Sequence, residues 1–350
     1  MIAAAFSFEH GCRFWDNRKR EQPNRRAAMQ PLQFEPIIKR ARWGGRRLHN
    51  VLNKTLGPES DYAESWEIAD HGVDQSRVTD GPLASRTLHE LVMHENSALL
   101  GRHAGLQQFP LLVKLLDARD RLSVQVHPDD ALARRFDPTE NGKTEAWVVI
   151  DAEPGSRLYV GLRPGVDAAQ VRAALSENRL EECLHSLPVR SGDAVFVPAG
   201  TVHAIGEGIM LAEVQQSSDL TFRLYDWGRM GSDGRPRPLH IEQAMQCIDF
   251  QRGPTCVVQP TVISEDPGLS EELVRCDHFV IRRHTLKRTF SFADDERFHV
   301  LIVLNGSVRL RSGDTALDVS LGQTVLLPAE RDECVVEPND SCVLLDAFLP

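Results

Sequence analysis

Residues 121–147, RLSVQVHPDDALARRFDPTENGKTEAW, set side chains of metal-binding type inside sequence that otherwise favours β-strand, and this limits what the chain can fold into. Successive strand residues point to opposite faces, so Ser123, Gln125 and His127 share one face while Val124 and Val126 take the other. A second strand-like run places Lys143, Glu145 and Trp147 together by the same parity. The turn-rich FDPTENG lies between the two runs. An amide, an imidazole and a carboxylate are thus presented by neighbouring strands.

A further donor comes from SGDAVFVPAGTVHAIGEG, where a strand framed by Gly192-Asp193 and Pro198-Ala199-Gly200 delivers His203. The pattern Gly-x5-Pro-x-Gly-x2-His resembles the second metal-binding motif of the cupin β-barrels. That motif expects Asn four residues after the His, and Glu207 stands there instead. Gln125, His127, Glu145 and His203 would give two imidazoles and two oxygen donors. This set suits Zn²⁺ and leaves Fe²⁺, Mn²⁺ and Co²⁺ open.

With 350 residues, 41% of them apolar, the chain can furnish sizeable cores for two domains or one large one. A formal charge of −10 speaks against a nucleic-acid partner held through phosphates, and no apolar run reaches the length of a membrane helix. Seven scattered cysteines without CxxC spacing suit reduced thiols, so a cytoplasmic location is expected. Residues 1–30 read as a tail, with Met29 an alternative start. Nothing in the sequence signals oligomerisation, and a monomer is compatible with it.

The reading is mainly β, as two cupin-like jelly-roll barrels with a small helical insertion. Residues 31–255 form the metal-binding unit, with the insertion near 167–187 carried by apolar stripes through Val171, Ala174, Leu175, Leu180, Cys183 and Leu184. FPLLVKLLDARDRLSVQVHP reads as adjacent strands joined by a charged turn. In TFRLY, Thr221, Arg223 and Tyr225 share one face. Residues 256–350 repeat the first unit in outline, since Gly322 and Pro328 are spaced as Gly192 and Pro198 are. No histidine follows Pro328 in the place of His203, so this unit is expected to lack metal. His185, His278, His284 and His299 are read as non-ligands.

Lys114, Lys143 and Arg223 surround the expected site. A lysine in an apolar strand can lie at a sheet edge or snorkel to water. Lys143 and Arg223 can pair with Asp129, Asp130 or Asp226. Directed into one cavity, these cations would suit a phosphorylated substrate.

The segments ESWEIAD, FPLLVKLLDA, LSVQVHPDD, GKTEAW, VPAGTVHAIGEG and SSDLTFRLYDW, in this order, resemble the short bacterial type I mannose-6-phosphate isomerases. The resemblance implies a zinc ion, one per chain, on Gln125, His127, Glu145 and His203. It also implies a catalytic Arg223 and substrate-binding Lys114, Ser123 and Lys143. The implied reaction moves a proton between C1 and C2 of a sugar phosphate through a cis-enediol or enediolate. Arginine is too weakly acidic to serve readily as the base, which leaves a metal-bound water, Asp219 or Glu213. Two other readings keep the fold: an Fe²⁺ oxygenase, and a metal-dependent sugar-binding module without turnover.

Overall fold

The computed structural model describes residues 28–230, 234–292 and 294–350. The expected tail falls mostly on residues 1–27, outside the described residues. Met29 is described: it packs against the main core, and its N–H donates to the Glu330 carbonyl at 3.0 Å.

Apolar alternation in the first half produces strands β1 (Ile37–Gly45), β2 (Tyr62–Ile68), β3 (Leu111–Ala118), β4 (Val124–Val126), β5 (Glu145–Ala152), β6 (Arg157–Leu162), β7 (Leu184–Pro188), β8 (Ala194–Val197), β9 (His203–Ile205), β10 (Ile209–Gln216) and β11 (Phe222–Tyr225). A six-stranded sheet runs β8-β5-β10-β3-β2-β1 and a five-stranded sheet runs β7-β6-β9-β4-β11. Trp43, Leu116, Trp147, Val149, Leu158, Val160, Val195 and Ile205 come from both sheets and fill the space between them. Those inner faces also carry the polar residues singled out above.

The charged turn Ala118-Arg119-Asp120 joins consecutive strands that belong to different sheets, β3 in one and β4 in the other. The expected helical insertion forms as helix Ala168–Ser176, capped by Asp167, and a 3₁₀ turn, Leu180–Cys183. Its last residues are in the strand β7, which pairs with β6 through an irregular register that passes over His185. A bulge between Arg223 and Tyr225 breaks the expected parity of β11. Tyr225 joins the cluster of Phe222 and Leu224, away from the side of Arg223.

The second half contributes β12 (Thr261–Ser264), β13 (Leu269–Arg275), β14 (Val280–Leu286), β15 (Phe290–Phe292), β16 (His299–Asn305), β17 (Ser307–Ser312), β18 (Thr315–Ser320), β19 (Thr324–Leu327), β20 (Cys334–Pro338) and β21 (Cys342–Phe348). Its six-stranded sheet runs β19-β16-β21-β14-β13-β12, matching the first sheet strand for strand. The smaller sheet runs β18-β17-β20-β15, like β7-β6-β9-β4, with no fifth strand among the described residues. The six-stranded sheets meet back to back: Val113, Ala146, Val148, Ala212 and Val214 share one core cluster with Ile281, Val300, Ile302, Leu345 and Ala347. Phe109 and Phe298 pack within it as a tilted pair, ring centroids 4.7 Å apart. No described helix is long and apolar enough to cross a membrane.

Candidate metal centre and sugar-phosphate site

His203 reaches the inner face because the chain turns sharply on either side of β8. Gly192 and Gly200 sit at φ +88° and +84°, a region that favours glycine. A Cβ on Gly200 would also lie 3.0 Å from the Cys247 carbonyl. β9 then sets His203 opposite Gln125 of β4, while β5 delivers Glu145 from the facing sheet.

His127, Glu145 and His203 converge so that one ligand atom from each lies within 4.8 Å of the others, and all are buried. His203 Nε2 is 3.3 Å from Glu145 Oε1, and His127 Nε2 is 3.6 Å from Glu145 Oε2. Each ring uses its Nδ1–H on a backbone carbonyl, His127 on Leu220 at 3.0 Å and His203 on Thr201 at 2.9 Å. That fixes the tautomer and leaves both Nε2 lone pairs turned inward. Among the described residues, His127 Nε2 and Glu145 Oε2 are buried without a hydrogen-bond partner. A bound cation would satisfy both, so this His-Glu-His cluster can hold a metal ion.

Gln125, expected as a fourth donor, lies beside this cluster, its amide nitrogen 3.2 Å from His203 Nε2. Turning the amide by half a revolution keeps its shape and presents the oxygen instead. Glu207, in the place where the cupin motif expects Asn, is exposed, and its carbonyl accepts from Ser156.

Burial sets the protonation of the cluster. It holds the His203 imidazole down at about 4 and that of His127 well below the ordinary value, aided in each case by the nearby Lys143 ammonium. Both rings are therefore neutral and able to donate a lone pair at neutral pH. Burial pushes the Glu145 carboxyl up, against the pull of Lys143 and Lys114.

Lys114 is on an interior strand, between β10 and β2, and is 4% exposed, which overturns the edge or snorkelling reading. Its ammonium lies 3.6 Å from Glu213 and 3.7 Å from Glu64, over the Trp66 ring. Desolvation alone would lower its pKa, but Glu213 and Glu64 outweigh it and the group stays cationic. Lys143 pairs with Glu145 at 3.6 Å instead of Asp129 or Asp130. Asp129 caps helix Asp130–Phe136, and Asp130 accepts from Gly142 and Gln216.

Arg223 stands next to Gln125 across the β4–β11 ladder. Its Nε donates to Ser123 Oγ at 3.3 Å and its Nη1 to the Pro238 carbonyl at 2.9 Å. Asp226, the expected partner, is taken by Arg229 and Arg237. Burial and then the Arg237 charge lower the Arg223 pKa from its high ordinary value.

Glu213 occupies the same face as Lys114 and Trp147. Burial pushes its carboxyl up, Lys114 pulls it back, and its Oε1 has no hydrogen-bond partner. Asp219 is exposed. Trp66 and Glu64, joined by an indole N–H donation of 2.7 Å, were not singled out from the sequence. Their two-residue spacing in β2 was the available signal. A groove of about 840 Å³ beside Met29 and Glu330 contains none of these residues, so the site is identified by its chemistry and not by cavity size.

Comparison with known proteins points to one family. The family model described as phosphomannose isomerase type I, catalytic domain, matches residues 32–150, and that described as mannose-6-phosphate isomerase, cupin domain, matches 270–344. The chain is 34% identical over 317 residues to mannose-6-phosphate isomerase ManA of Bacillus subtilis, covering 90% of this chain and 98% of that protein. It is also 34% identical to the mannose-6-phosphate isomerase of Streptococcus mutans, covering 85% and 92%. A crystal structure of the mannose 6-phosphate isomerase from Bacillus subtilis superposes with a TM-score of 0.84 at 28% identity, covering 91% of this chain and 99% of that one. A structure of a putative mannosephosphate isomerase from Archaeoglobus fulgidus, 22% identical with a TM-score of 0.73 and covering 91% and 98%, shares the fold. With these matches spanning both halves and the polar cluster lying between the sheets of the first, the chain belongs to the type I phosphomannose isomerase family, whose mainly β cupin fold it shares.

Proposed function

We propose that this chain interconverts mannose 6-phosphate and fructose 6-phosphate, using one Zn²⁺ held by Gln125, His127, Glu145 and His203. The observation that carries this reading is the buried pair of neutral imidazoles around Glu145, where His127 Nε2 and Glu145 Oε2 face inward without a hydrogen-bond partner. When bound there, the ion supplies Lewis acidity for the oxygens at C1 and C2.

Glu213 is the general base in this reading. Its carboxyl is buried, burial raises its pKa, and its Oε1, 3.6 Å from the Lys114 ammonium, accepts no hydrogen bond. It takes the proton from one carbon and returns it to the neighbour through a cis-enediol. Lys114 stays charged beside it and steadies the anionic form of the base. Arg223 faces the developing oxyanion, since its guanidinium is bound to a hydroxyl and a carbonyl and not to a carboxylate. Ser123 orients that guanidinium, and Lys143 with Lys114 holds sugar or phosphate oxygens.

An iron oxygenase would have no evident use for Lys114 and Glu213 on one sheet together with Arg223 on the other. The test is a coupled isomerisation assay under anaerobic conditions. Turnover should persist without O₂, and Arg223→Ala should lower kcat by about 10²–10³ while substrate binding is largely kept. Wild-type protein that binds the sugar phosphate without converting it would overturn the proposal in favour of a binding module.

A further inference from the structure

The strand that carries Glu213 also carries Gln215, whose role the proposed mechanism does not use. Gln215 is directly opposite Glu145 in the β10–β5 ladder and is fully buried. Its amide donates to the carbonyls of Gln216 at 2.9 Å and Ser218 at 2.6 Å, and its Oε1 has no partner. A buried amide that uses both N–H groups on one turn and leaves its oxygen unpaired incurs a desolvation penalty that packing alone does not offset.

The turn it grips, residues 216–220, leads straight into the metal cluster. Asn141 donates to the Ser217 carbonyl, Ser217 Oγ to the Asp70 carbonyl and Ser218 Oγ to Glu140. Leu220 N–H donates to Ser218 Oγ, and the Leu220 carbonyl accepts from His127 Nδ1. The carbonyl that fixes the His127 tautomer is therefore placed by a turn whose inner side is held through Gln215.

We propose that Gln215 is a positioning residue for the metal: through the 216–220 turn it holds the Leu220 carbonyl on His127 Nδ1, and so keeps His127 Nε2 directed at Glu145. The inference rests on the metal site proposed above. Partners of this outer kind typically change metal affinity by about 10–100-fold.

The test is the affinity of the purified full chain for Zn²⁺, measured by competition with a chromophoric chelator. Gln215→Met keeps the side-chain length and removes both donors. Val214→Ala, on the same strand but facing the core between the two units, controls for loss of stability. Gln215→Met should weaken Zn²⁺ by about 10-fold or more and alter the visible absorption of the Co²⁺-substituted protein, while Val214→Ala should lower the melting temperature and leave both readouts as in wild type. Wild-type affinity in Gln215→Met, or an equal loss in Val214→Ala, overturns the proposal. If Gln215→Met does not yield folded protein, Gln215→Leu carries the same comparison. A wild type that binds no Zn²⁺ would instead sink the metal-site reading itself.

Discussion

Glu213 and Lys114 face each other across a ladder position where most sheets would bury aliphatic side chains. The pair persists because Glu64 and the Trp66 ring complete the surroundings of the ammonium, so neither charge is isolated. The base must be ionised to act. With burial pushing the Glu213 carboxyl up, kcat/KM should rise as pH increases through that raised value, and the limb should vanish in Glu213→Gln. The same variant should lose about 10²–10⁴ in kcat, checked by steady-state kinetics across pH with metal saturating. Two-residue parity made Gln125, His127, Lys143 and Glu145 legible in the sequence, although His127 and Lys143 lie just outside β4 and β5. The setting of Lys114 was not legible. It depends on Glu64 and Glu213, which reach it from strands distant in sequence, and only sheet order shows that β3 is interior.

At the scale of strands, the second half repeats the first with its chemistry replaced. Glu145 pairs with Val197 just before Pro198, and His299 pairs with Leu327 just before Pro328. By the same register Asp346 stands where Glu213 does and Arg282 where Lys114 does. Cys334 begins the strand that His203 begins in the first half. Burial pushes its thiol up to about 12, and Phe292, paired with it, takes the place of Gln125. The Gly-to-Pro spacing let the repeat be read from the sequence, and the missing His after Pro328 was plain there. That His299 falls on the Glu145 position was not, since it needs the register.

At the matching position, His299 bridges carboxylates: Nδ1 is 2.8 Å from Asp346 and Nε2 is 3.2 Å from Asp295, and His284 Nε2 is 3.7 Å from Asp346. Burial opposes its charge, but Asp346 and Asp295 raise its pKa from 6.5 to about 9. Its contribution to stability is then complete below the unfolded value of 6.5 and lost as pH rises through about 9. Asp346 is held well below 3.8, so its contribution is present above that value and lost as pH falls. Melting temperature should therefore be greatest between about pH 4 and 6.5, and His299→Leu should flatten the alkaline arm. An unchanged alkaline arm in that variant would show that the bridge does not contribute.

Over the whole molecule, the broad sheets of the two halves lie back to back, so the wall behind the site is also the wall of the second unit. Val214 and Ala212 point into that shared core, while Glu213 and Gln215 between and beyond them point into the site. Phe298→Ala would remove a fully buried ring against Phe109 and should cost about 3–5 kcal/mol. Because the core is continuous, denaturant unfolding should show the loss in the tertiary signals of both halves together. Separate transitions, with the first half unaffected, would contradict a shared core. The mainly β class and the repeat were readable in the sequence from alternation and turn residues. The mode of contact was not, because an apolar strand face reads the same whether it meets its own second sheet or another unit.

The most direct test measures zinc content and mannose 6-phosphate isomerisation on the same samples of wild type and His203→Ala, before and after chelation and re-addition of metal. Wild type should carry roughly one Zn²⁺ per chain, lose turnover when stripped and regain it on reloading, whereas His203→Ala should neither retain the ion nor turn over. Full activity in stripped wild type, or in His203→Ala, would contradict the account.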